Sequence, residues 1–291
     1  MINYHAHDEA SSDAAGSLPA HARAAADAGL AELCVTNHVE IMDESGRWTV
    51  DAGEVVDRLG AELEAAGDVR ERVPGLELRI GAELEYRPEW VPELERIAAE
   101  LPLDFLLGSV HVVDGHNISG GVGVDDYFAG RSLEEAYGRY FQVVGEMVGW
   151  GGFDVVAHFD LVKRFGHRAY GDFDPRVLEE PIRGVLERMA AAGLGIEINT
   201  SGYGQPPAAA YPEPEILRWA REAGVPRLTL GADSHAPHRI AAGLGRGAAL
   251  AADTGWTELT GFDRRRPRPV ALPGADAGAS AGPGDAGGGR P

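Results

Sequence analysis

The sequence contains almost no cysteine and no long hydrophobic run. Cys34 is the single cysteine among 291 residues, which excludes an intramolecular disulfide and fits a reducing compartment. No stretch approaches the ~20 consecutive apolar residues of a membrane span. The N-terminal MINYHAHDEA also lacks the apolar run of a signal peptide. We therefore expect a cytoplasmic protein that does not enter a membrane.

Positive charge is also scarce. The chain carries 26 Lys and Arg against 46 Asp and Glu, which gives a formal net charge of −20. Because such a surface repels the phosphates of nucleic acids, we expect no nucleic-acid partner. A small phosphorylated molecule remains a compatible partner, provided that local cations offset the acidic excess. The sequence leaves the oligomeric state open.

Large apolar residues are missing from the C-terminal segment. After Leu272 the chain continues as PGADAGASAGPGDAGGGRP. A segment of this composition cannot bury enough surface to offset the entropy of ordering it. We therefore predict one folded domain over residues 1–272 and a disordered tail, rich in Gly, Pro and Ala, over 273–291.

Within 1–272, short apolar runs typical of strands alternate with amphipathic patterns typical of helices. The predicted strands are Ile2–His5, Glu32–Thr36, Glu77–Glu83, Phe105–His111, Asp154–His158, Leu194–Asn199 and Arg227–Gly231. The predicted helices lie near 18–29, 51–66, 89–100, 132–148, 175–192, 213–223 and 236–251. This alternation favours a parallel sheet buried on both faces. Seven such units, without a Gly-x-Gly-x-x-Gly after the first strand, favour an α/β barrel over a dinucleotide-binding fold.

Most histidines lie at the ends of these predicted strands. Six of the ten lie at or just past a C-terminal strand end, and three carboxylates accompany them; the nine residues are His5, His7, Asp13, His38, Glu83, His111, His158, Asp233 and His235. Barrel enzymes carry their active sites at this end. Two pairs, His5 with His7 and Asp233 with His235, are two residues apart, which directs both side chains of each pair to one face of a strand.

Nine donors exceed the needs of one metal ion. Typical coordination numbers of about four to six imply two or three divalent ions that share ligands. Imidazole and carboxylate suit Zn, Mn or Fe. A single histidine at a strand end is more often structural, so the joint placement carries the prediction. Periodicity does not distinguish Glu83 from Glu85, because the two share a strand face.

Seven motifs in order are similar to those of the polymerase and histidinol phosphatase (PHP) superfamily. They are HAH at 5–7, TNHVE at 36–40, GAELEY at 81–86, GSVH at 108–111, VAHFD at 156–160, EINTSG at 197–202 and GADSH at 231–235. The GSVH, EINTSG and TELTGFDRRRP segments resemble the histidinol-phosphatase branch more specifically. The resemblance extends over residues 1 to about 272.

This resemblance implies a single-domain α/β fold, a distorted (β/α)7 TIM-like barrel with a metal cluster at its C-terminal face. The implied ligands are the nine residues named above, with Glu83 rather than Glu85 at the Gly-x-Glu position. The implied activity is metal-dependent hydrolysis of a phosphate monoester, most specifically of L-histidinol phosphate in histidine biosynthesis. Because metals lower the pKa of bound water, we expect a metal-bridging hydroxide as the nucleophile.

Basic and polar residues near the same strand ends are candidate substrate contacts. Lys163, Arg164 and Arg239 are candidates for binding the phosphate, for which a guanidinium is the better match. Asn199 and Ser201, at the end of the sixth predicted strand, are candidates for binding the substrate amine. His238 is a candidate general acid for the leaving group.

Three other functions compete with this hypothesis. A PHP phosphoesterase of nucleotide or sugar phosphates would use the same metal ligands. A non-catalytic metal-binding PHP domain is disfavoured, because no ligand is missing. An amidohydrolase shares the barrel and the HxH motif, but it usually has a lysine at a strand end, and no predicted strand ends in one.

The predicted tail can be tested directly. A chain that ends at Leu272 should keep the melting temperature and catalytic rate of the full chain, because the removed segment contributes no apolar surface. Thermal unfolding and phosphate release measured side by side check this. An unfolded or inactive product would contradict the assignment of a disordered tail.

Overall fold

Seven parallel strands form the centre of the protein in a computed structural model that describes residues 1–42, 48–121 and 123–273. They are β1 (Ile2–Asn3), β2 (Glu32–His38), β3 (Glu77–Glu85), β4 (Phe105–Ser109), β5 (Val155–Val156), β6 (Gly195–Asn199) and β7 (Leu228–Gly231). Each strand pairs with the next one in chain order, and every pairing is parallel. Apart from Pro273, the predicted tail lies outside the described residues.

Backbone hydrogen bonds between the first and last strands bring the sheet round to a nearly closed barrel. The amide of Tyr4 donates to the carbonyl of Leu230 at 2.7 Å, and that of Asp233 donates to His5 at 2.8 Å. Beyond them, the His7 amide donates to the carbonyl of Ser234 at 2.8 Å. The predicted α/β barrel is therefore confirmed, as is the position of all seven predicted strands.

Within the described residues, eight α-helices surround the sheet. They are α1 (Leu18–Asp27), α2 (Ala52–Arg72), α3 (Val91–Glu100), α4 (Leu133–Trp150), α5 (Lys163–Tyr170), α6 (Glu179–Ala192), α7 (Pro214–Glu222) and α8 (Leu244–Asp253). The sequence patterns do not predict α5. The prediction of a helix from 236 is wrong at its start, because Pro237–Arg239 forms a 3-10 turn and Gly243, at φ 78°, adopts a left-handed conformation just before α8. The segment Pro175–Leu178 is likewise a 3-10 turn before α6.

Two small hairpins follow barrel strands at the C-terminal end. One pairs Ile41–Met42 with Trp48–Thr49 after β2, and the other pairs Val112–Val113 with His116–Asn117 after β4. Neither is predicted from the sequence, because two-residue strands leave no periodic pattern. Both lie on the side of the barrel where the histidines collect.

A third hairpin, Glu258–Asp263 paired with Arg266–Ala271, closes the N-terminal end of the barrel. Its Phe262 is fully buried, and the Phe262 ring lies 4.8 Å from that of Phe105. The Tyr4 hydroxyl donates to the buried Glu32 carboxylate at 2.5 Å and accepts from the Phe262 amide at 2.6 Å. Arg265 donates to both carboxylate oxygens of Asp154 at 3.1 to 3.2 Å. This end of the barrel is therefore sealed by packing and ion pairs.

No helix within the described ranges combines the length and the apolar character needed to cross a membrane.

The Arg265–Asp154 pair should contribute measurably to stability. Replacing Arg265→Met leaves the largely buried Asp154 carboxylate without its guanidinium partner, so the free energy of unfolding should fall by about 2–3 kcal/mol. The matched variant Arg266→Met removes an exposed arginine next to it and should change stability by less than about 0.5 kcal/mol. Equal stabilities of both variants in chemical denaturation would show that the pair does not hold the hairpin.

Candidate metal centre

The nine predicted donors lie together at the C-terminal end of the barrel. Four overlapping groups of potential ligand atoms have all their members within 4.8 Å of one another: His7, His38 and His235; His5, His7 and Glu83; His5, His158 and Asp233; Glu83, His111 and His158. Eight of the nine lie in, or at most four residues beyond, a barrel strand. The parallel arrangement explains the convergence, because all parallel strands end at the same rim.

Glu83 is the centre of this cluster. It belongs to β3, is only 1% exposed, and directs its two oxygens to different imidazoles. Its Oε2 lies 3.1 Å from His38 Nδ1 and 3.4 Å from His5 Nε2. Its Oε1 lies 3.0 Å from His158 Nε2 and 3.6 Å from His111 Nε2. The glutamate selected by the resemblance therefore faces the histidines.

The donor spacing fits divalent metal ions. Two ligand atoms that each lie ~2.1 Å from a tetrahedral ion are about 3.4 Å apart. His5 Nε2 lies 3.4 Å from Glu83 Oε2 and 3.6 Å from Asp233 Oδ1, and His7 Nε2 lies 3.6 Å and 3.5 Å from the same two atoms. These two imidazole nitrogens and Glu83 Oε2 are buried without a hydrogen-bond partner among the described residues. Buried polar atoms of this kind require a ligand.

Asp13 differs from the other donors in its setting. It lies in the loop between β1 and α1, and its side chain is 54% exposed. Its Oδ2 lies 3.2 Å from His235 Nε2 and 3.6 Å from His38 Nε2. Although burial opposes ionisation, hydrogen bonds from His235 and His38 hold the pKa of Asp13 well below its usual range. The structure therefore brings Asp13 to the edge of the cluster.

The donors also set one another's protonation. Burial disfavours the Glu83 carboxylate, yet the surrounding imidazoles, foremost His5, hold its pKa well below the usual range. The pKa of Asp233 is likewise held well below the usual range, because His5, His7 and His235 together outweigh the effect of burial. Burial and the neighbouring His38 lower the pKa of His7 to about 3, so that its ring is neutral near pH 7. The nearby carboxylates, against the effect of burial, raise the pKa of His5, His38, His111 and His235, so a metal ion competes with protons for these four imidazoles.

Two further carboxylates, which the sequence analysis did not predict as site residues, orient the donors. Glu197, fully buried in β6, accepts from His5 Nδ1 and from the backbone amide of His158, both at 2.8 Å. Glu85 accepts from the His111 amide at 2.8 Å and lies 2.9 Å from His111 Nδ1. Such partners fix the ring orientation of metal-binding histidines. A charged residue within the otherwise apolar strand GIEIN was the available signal for Glu197.

The backbone around the cluster is close-packed and strained. His158 and Asp233 adopt positive φ angles of 25° and 48°, a conformation that few non-glycine residues adopt. At Gly231 an added Cβ would lie 1.9 Å from Glu197 Oε1 and 2.5 Å from His5 Cβ. Only glycine therefore allows β7 to approach the Glu197–His5 pair this closely.

A cavity of about 590 Å³ opens onto the cluster. Its lining includes the donors Asp13, His38, Glu83, His111, His158, Asp233 and His235, and also Glu40, Trp48, Arg87, Asn117, Ser119, Arg164 and Gln205. Arg164, a predicted phosphate contact, therefore faces the cavity. Arg87, Trp48 and Glu40 do as well, although none of them was predicted as a site residue; Glu40 is the last residue of the TNHVE motif at 36–40.

Lys163 is not brought to this cavity. Its side chain is 2% exposed, and its ammonium donates to the Ala210 carbonyl at 2.7 Å and to Glu213 at 2.8 Å. A third acceptor, Asp160, lies at 3.0 Å. These three acceptors match the three hydrogens of the ammonium, so Lys163 ties α5 to the segment before α7. The expectation that Lys163 contacts phosphate has no support in this geometry.

The remaining predicted substrate contacts lie around the rim. Asn199 Nδ2 and Ser201 Oγ each lie 3.3 Å from Asp233 Oδ2, and Asn199 Oδ1 accepts from Ser201 Oγ at 2.7 Å. Asn199 and Ser201 therefore hold Asp233, a predicted metal ligand, in place. His238 and Arg239 are exposed on the 3-10 turn Pro237–Arg239.

Comparison with known protein families identifies this chain. The model of the PHP domain matches residues 3–201, more than half of the sequence. The chain belongs to the PHP domain family.

Relatives of this PHP domain bear the name histidinol-phosphatase. A "probable histidinol-phosphatase" of Deinococcus radiodurans is 30% identical over 92% of this chain and 99% of its own length. A histidinol-phosphatase of Lactococcus lactis is 24% identical over 90% of this chain and 94% of its own. A solved structure of the histidinol phosphate phosphatase of L. lactis, in complex with zinc, L-histidinol and phosphate, has a TM-score of 0.77 at 20% identity, covering 92% of this chain and 98% of that one. The barrel is therefore the same fold.

The role of Glu197 in this PHP domain can be tested by Glu197→Gln. The amide keeps the shape but loses the charge that orients His5, so metal affinity should fall by about 10–100-fold. Glu187→Gln, the same change at an exposed position on α6, should leave affinity unchanged. Competition of the metal-free protein with a chelating dye provides the measurement. Wild-type affinity in Glu197→Gln would contradict an orienting role.

Proposed function

We propose that this PHP domain is a metal-dependent histidinol-phosphatase, which converts L-histidinol phosphate and water into L-histidinol and phosphate. The observation that carries the proposal is the convergence of nine nitrogen and oxygen donors in one cluster, seven of which line a single cavity. The similarity to the Deinococcus and Lactococcus histidinol-phosphatases along nearly the whole chain supports the substrate. Histidine biosynthesis is the corresponding pathway.

We further propose that the nine donors hold two or three divalent ions, with zinc, manganese or iron as candidates. The zinc in the related L. lactis structure supports this choice, and the imidazole and carboxylate donors of this chain suit the same ion. Ions bound there supply concentrated positive charge for the phosphate and lower the pKa of a water molecule. The chain's own contribution is to hold the nine donors in one rigid arrangement.

Arg164 and Arg87 are the cationic side chains that we propose for substrate binding. Both line the cavity, and the Arg87 guanidinium lies 4.0 Å from the centre of the Trp90 ring, which restricts its orientation. A guanidinium binds phosphate oxygens through two parallel hydrogen bonds. Positive charge at the mouth also reconciles an anionic substrate with a chain of net charge −20. His238 and Arg239 remain weaker candidates, because both are exposed on their turn.

The rest of the cavity wall suits a substrate that carries an amine and an imidazole. Glu40 lies beside His38, with its Oε1 3.3 Å from His38 Nδ1, and also lines the cavity. Trp48, Asn117 and Ser119 add an aromatic face and neutral polar groups to the same wall. A carboxylate can pair with an ammonium group, and an indole can stack on an imidazole. These groups support an amino-alcohol phosphate over a nucleotide or sugar phosphate.

Phosphate release from L-histidinol phosphate tests the proposal, compared with nucleotide and sugar monophosphates. Activity should be highest on histidinol phosphate, should be lost with a chelator, and should return when Zn²⁺ or Mn²⁺ is added back. Metal-dependent hydrolysis of other esters instead would keep the metal centre and refute the substrate. A metal-loaded protein that hydrolyses nothing would favour a non-catalytic metal-binding domain.

Ligand variants test the same site by residue. Asp233→Asn and His235→Ala should each reduce kcat by more than about 100-fold while the barrel remains folded, since even residues behind metal ligands change activity 10–100-fold. The matched variants Asp172→Asn and His167→Ala alter an exposed pair outside the cavity and should retain wild-type rates. Retained activity in Asp233→Asn would overturn the ligand assignment.

A further inference from the structure

Asp13 depends on its loop for its position. The other eight donors lie in barrel strands or within four residues of their ends, whereas Asp13 lies ten residues beyond β1, and half of its side chain is exposed. A flexible loop would place a ligand only part of the time, and ordering the loop on metal binding would cost entropy. The structure instead fixes this loop through contacts on both sides.

A single arginine joins the loop to the neighbouring strand. Arg58, on α2, donates from Nη1 to the carbonyl of Ala10 at 2.6 Å and from Nη2 to the carbonyl of His38 at 2.5 Å. Ala10 lies three residues before Asp13, and His38 is one of the two imidazole donors that face Asp13. The planar guanidinium sets the separation between these two backbone segments, because its donors have a fixed geometry.

A buried polar network supports the same contact. Glu62, one turn after Arg58 on α2, accepts from Asn37 Nδ2 at 2.9 Å, and Asn37 Nδ2 also donates to Asp8 Oδ1 at 2.9 Å. Ser11 Oγ donates to Asn37 Oδ1 at 2.9 Å. Three of these side chains are less than 3% exposed, and Glu62 is 7% exposed. The first half of the loop is thereby held against the end of β2.

The second half of the loop is held on the opposite side of the cluster. The amide of Ala15 donates to the carbonyl of His235 at 2.9 Å. Asp13 therefore lies between two fixed points, one at Ala10 and one at Ala15. Its carboxylate reaches His38 and His235, the two imidazoles whose own backbones carry these anchors.

We propose that Arg58 is a positioning residue that sets Asp13 as a metal donor and thereby controls one metal position, the one formed by His7, His38, His235 and Asp13. This inference rests on the metal site of the proposed function. His158 and His111 form no hydrogen bond or ion pair with residues 10–15 of this loop, a segment that lies wholly within the described residues. Loss of the Arg58 contact should therefore affect one binding step and leave the others.

Metal titration of the full chain with Arg58→Met tests the inference. Zn²⁺ and Mn²⁺ bound per chain are counted by elemental analysis after dialysis, and stepwise affinities of the metal-free protein are measured by competition with a chelating dye. Arg58→Met should lose one equivalent or weaken the weakest step by about 10–100-fold. Arg70→Met is the matched control: Arg70 lies on the same helix and donates to the carbonyl of Leu78, away from the cluster.

A double-mutant comparison shows whether Arg58 acts through Asp13. Asp13→Asn should weaken the same step, and adding Arg58→Met to it should weaken that step no further. Arg58→Lys, which can contact only one of the two carbonyls at a time, should give an intermediate affinity and serves as the readout if Arg58→Met does not fold. Unchanged metal binding in the Arg58 variants, or fully additive effects with Asp13→Asn, would overturn the inference alone. A wild-type chain that binds no metal would overturn the proposed function together with it.

Discussion

One buried carboxylate, that of Glu83, is the constraint on which the rest of this structure depends. A carboxylate removed from water is costly unless cationic or hydrogen-bonding groups surround it. Here it is 1% exposed, and imidazole nitrogens of five histidines lie between 3.0 and 3.6 Å from its oxygens: His5, His7, His38, His111 and His158. Those histidines come from four different strands or strand ends, so their convergence requires a closed barrel. The proposed chemistry and the topology are thus linked through one side chain.

The two ends of the barrel have different physical roles. At the N-terminal end the closing hairpin buries Phe262 and pairs Arg265 with Asp154, so that polar groups there are satisfied within the protein. At the C-terminal end, buried polar atoms such as His5 Nε2 and His7 Nε2 have no partner within the described ranges. The N-terminal end therefore contributes to stability without offering a site, whereas the C-terminal end leaves buried donors available to a ligand.

The sequence predicts much of the fold and most of the donors, for identifiable reasons. Strand positions follow from apolar runs, and the i, i+2 spacing of His5 and His7 correctly places both rings at one site. The patterns fail where tertiary contacts decide: the short helix α5 buries Lys163 and Gly166, and the Lys163 ammonium pairs with the nearby Asp160 and with Glu213, fifty residues away. Glu197 and Arg58 could not be predicted from the sequence, because their roles depend on neighbours twenty or more residues away in the chain.

Anomalous diffraction from crystals of the full chain loaded with Zn²⁺ or Mn²⁺ tests most directly whether the nine donors bind metal ions. Two or three anomalous peaks should appear around Glu83, each about 2.0–2.3 Å from imidazole and carboxylate atoms of the nine donors. One peak should have Asp13 among its ligands. A fully loaded crystal without a peak at this cluster, or with metal bound only elsewhere, would show that the nine donors do not form a metal centre.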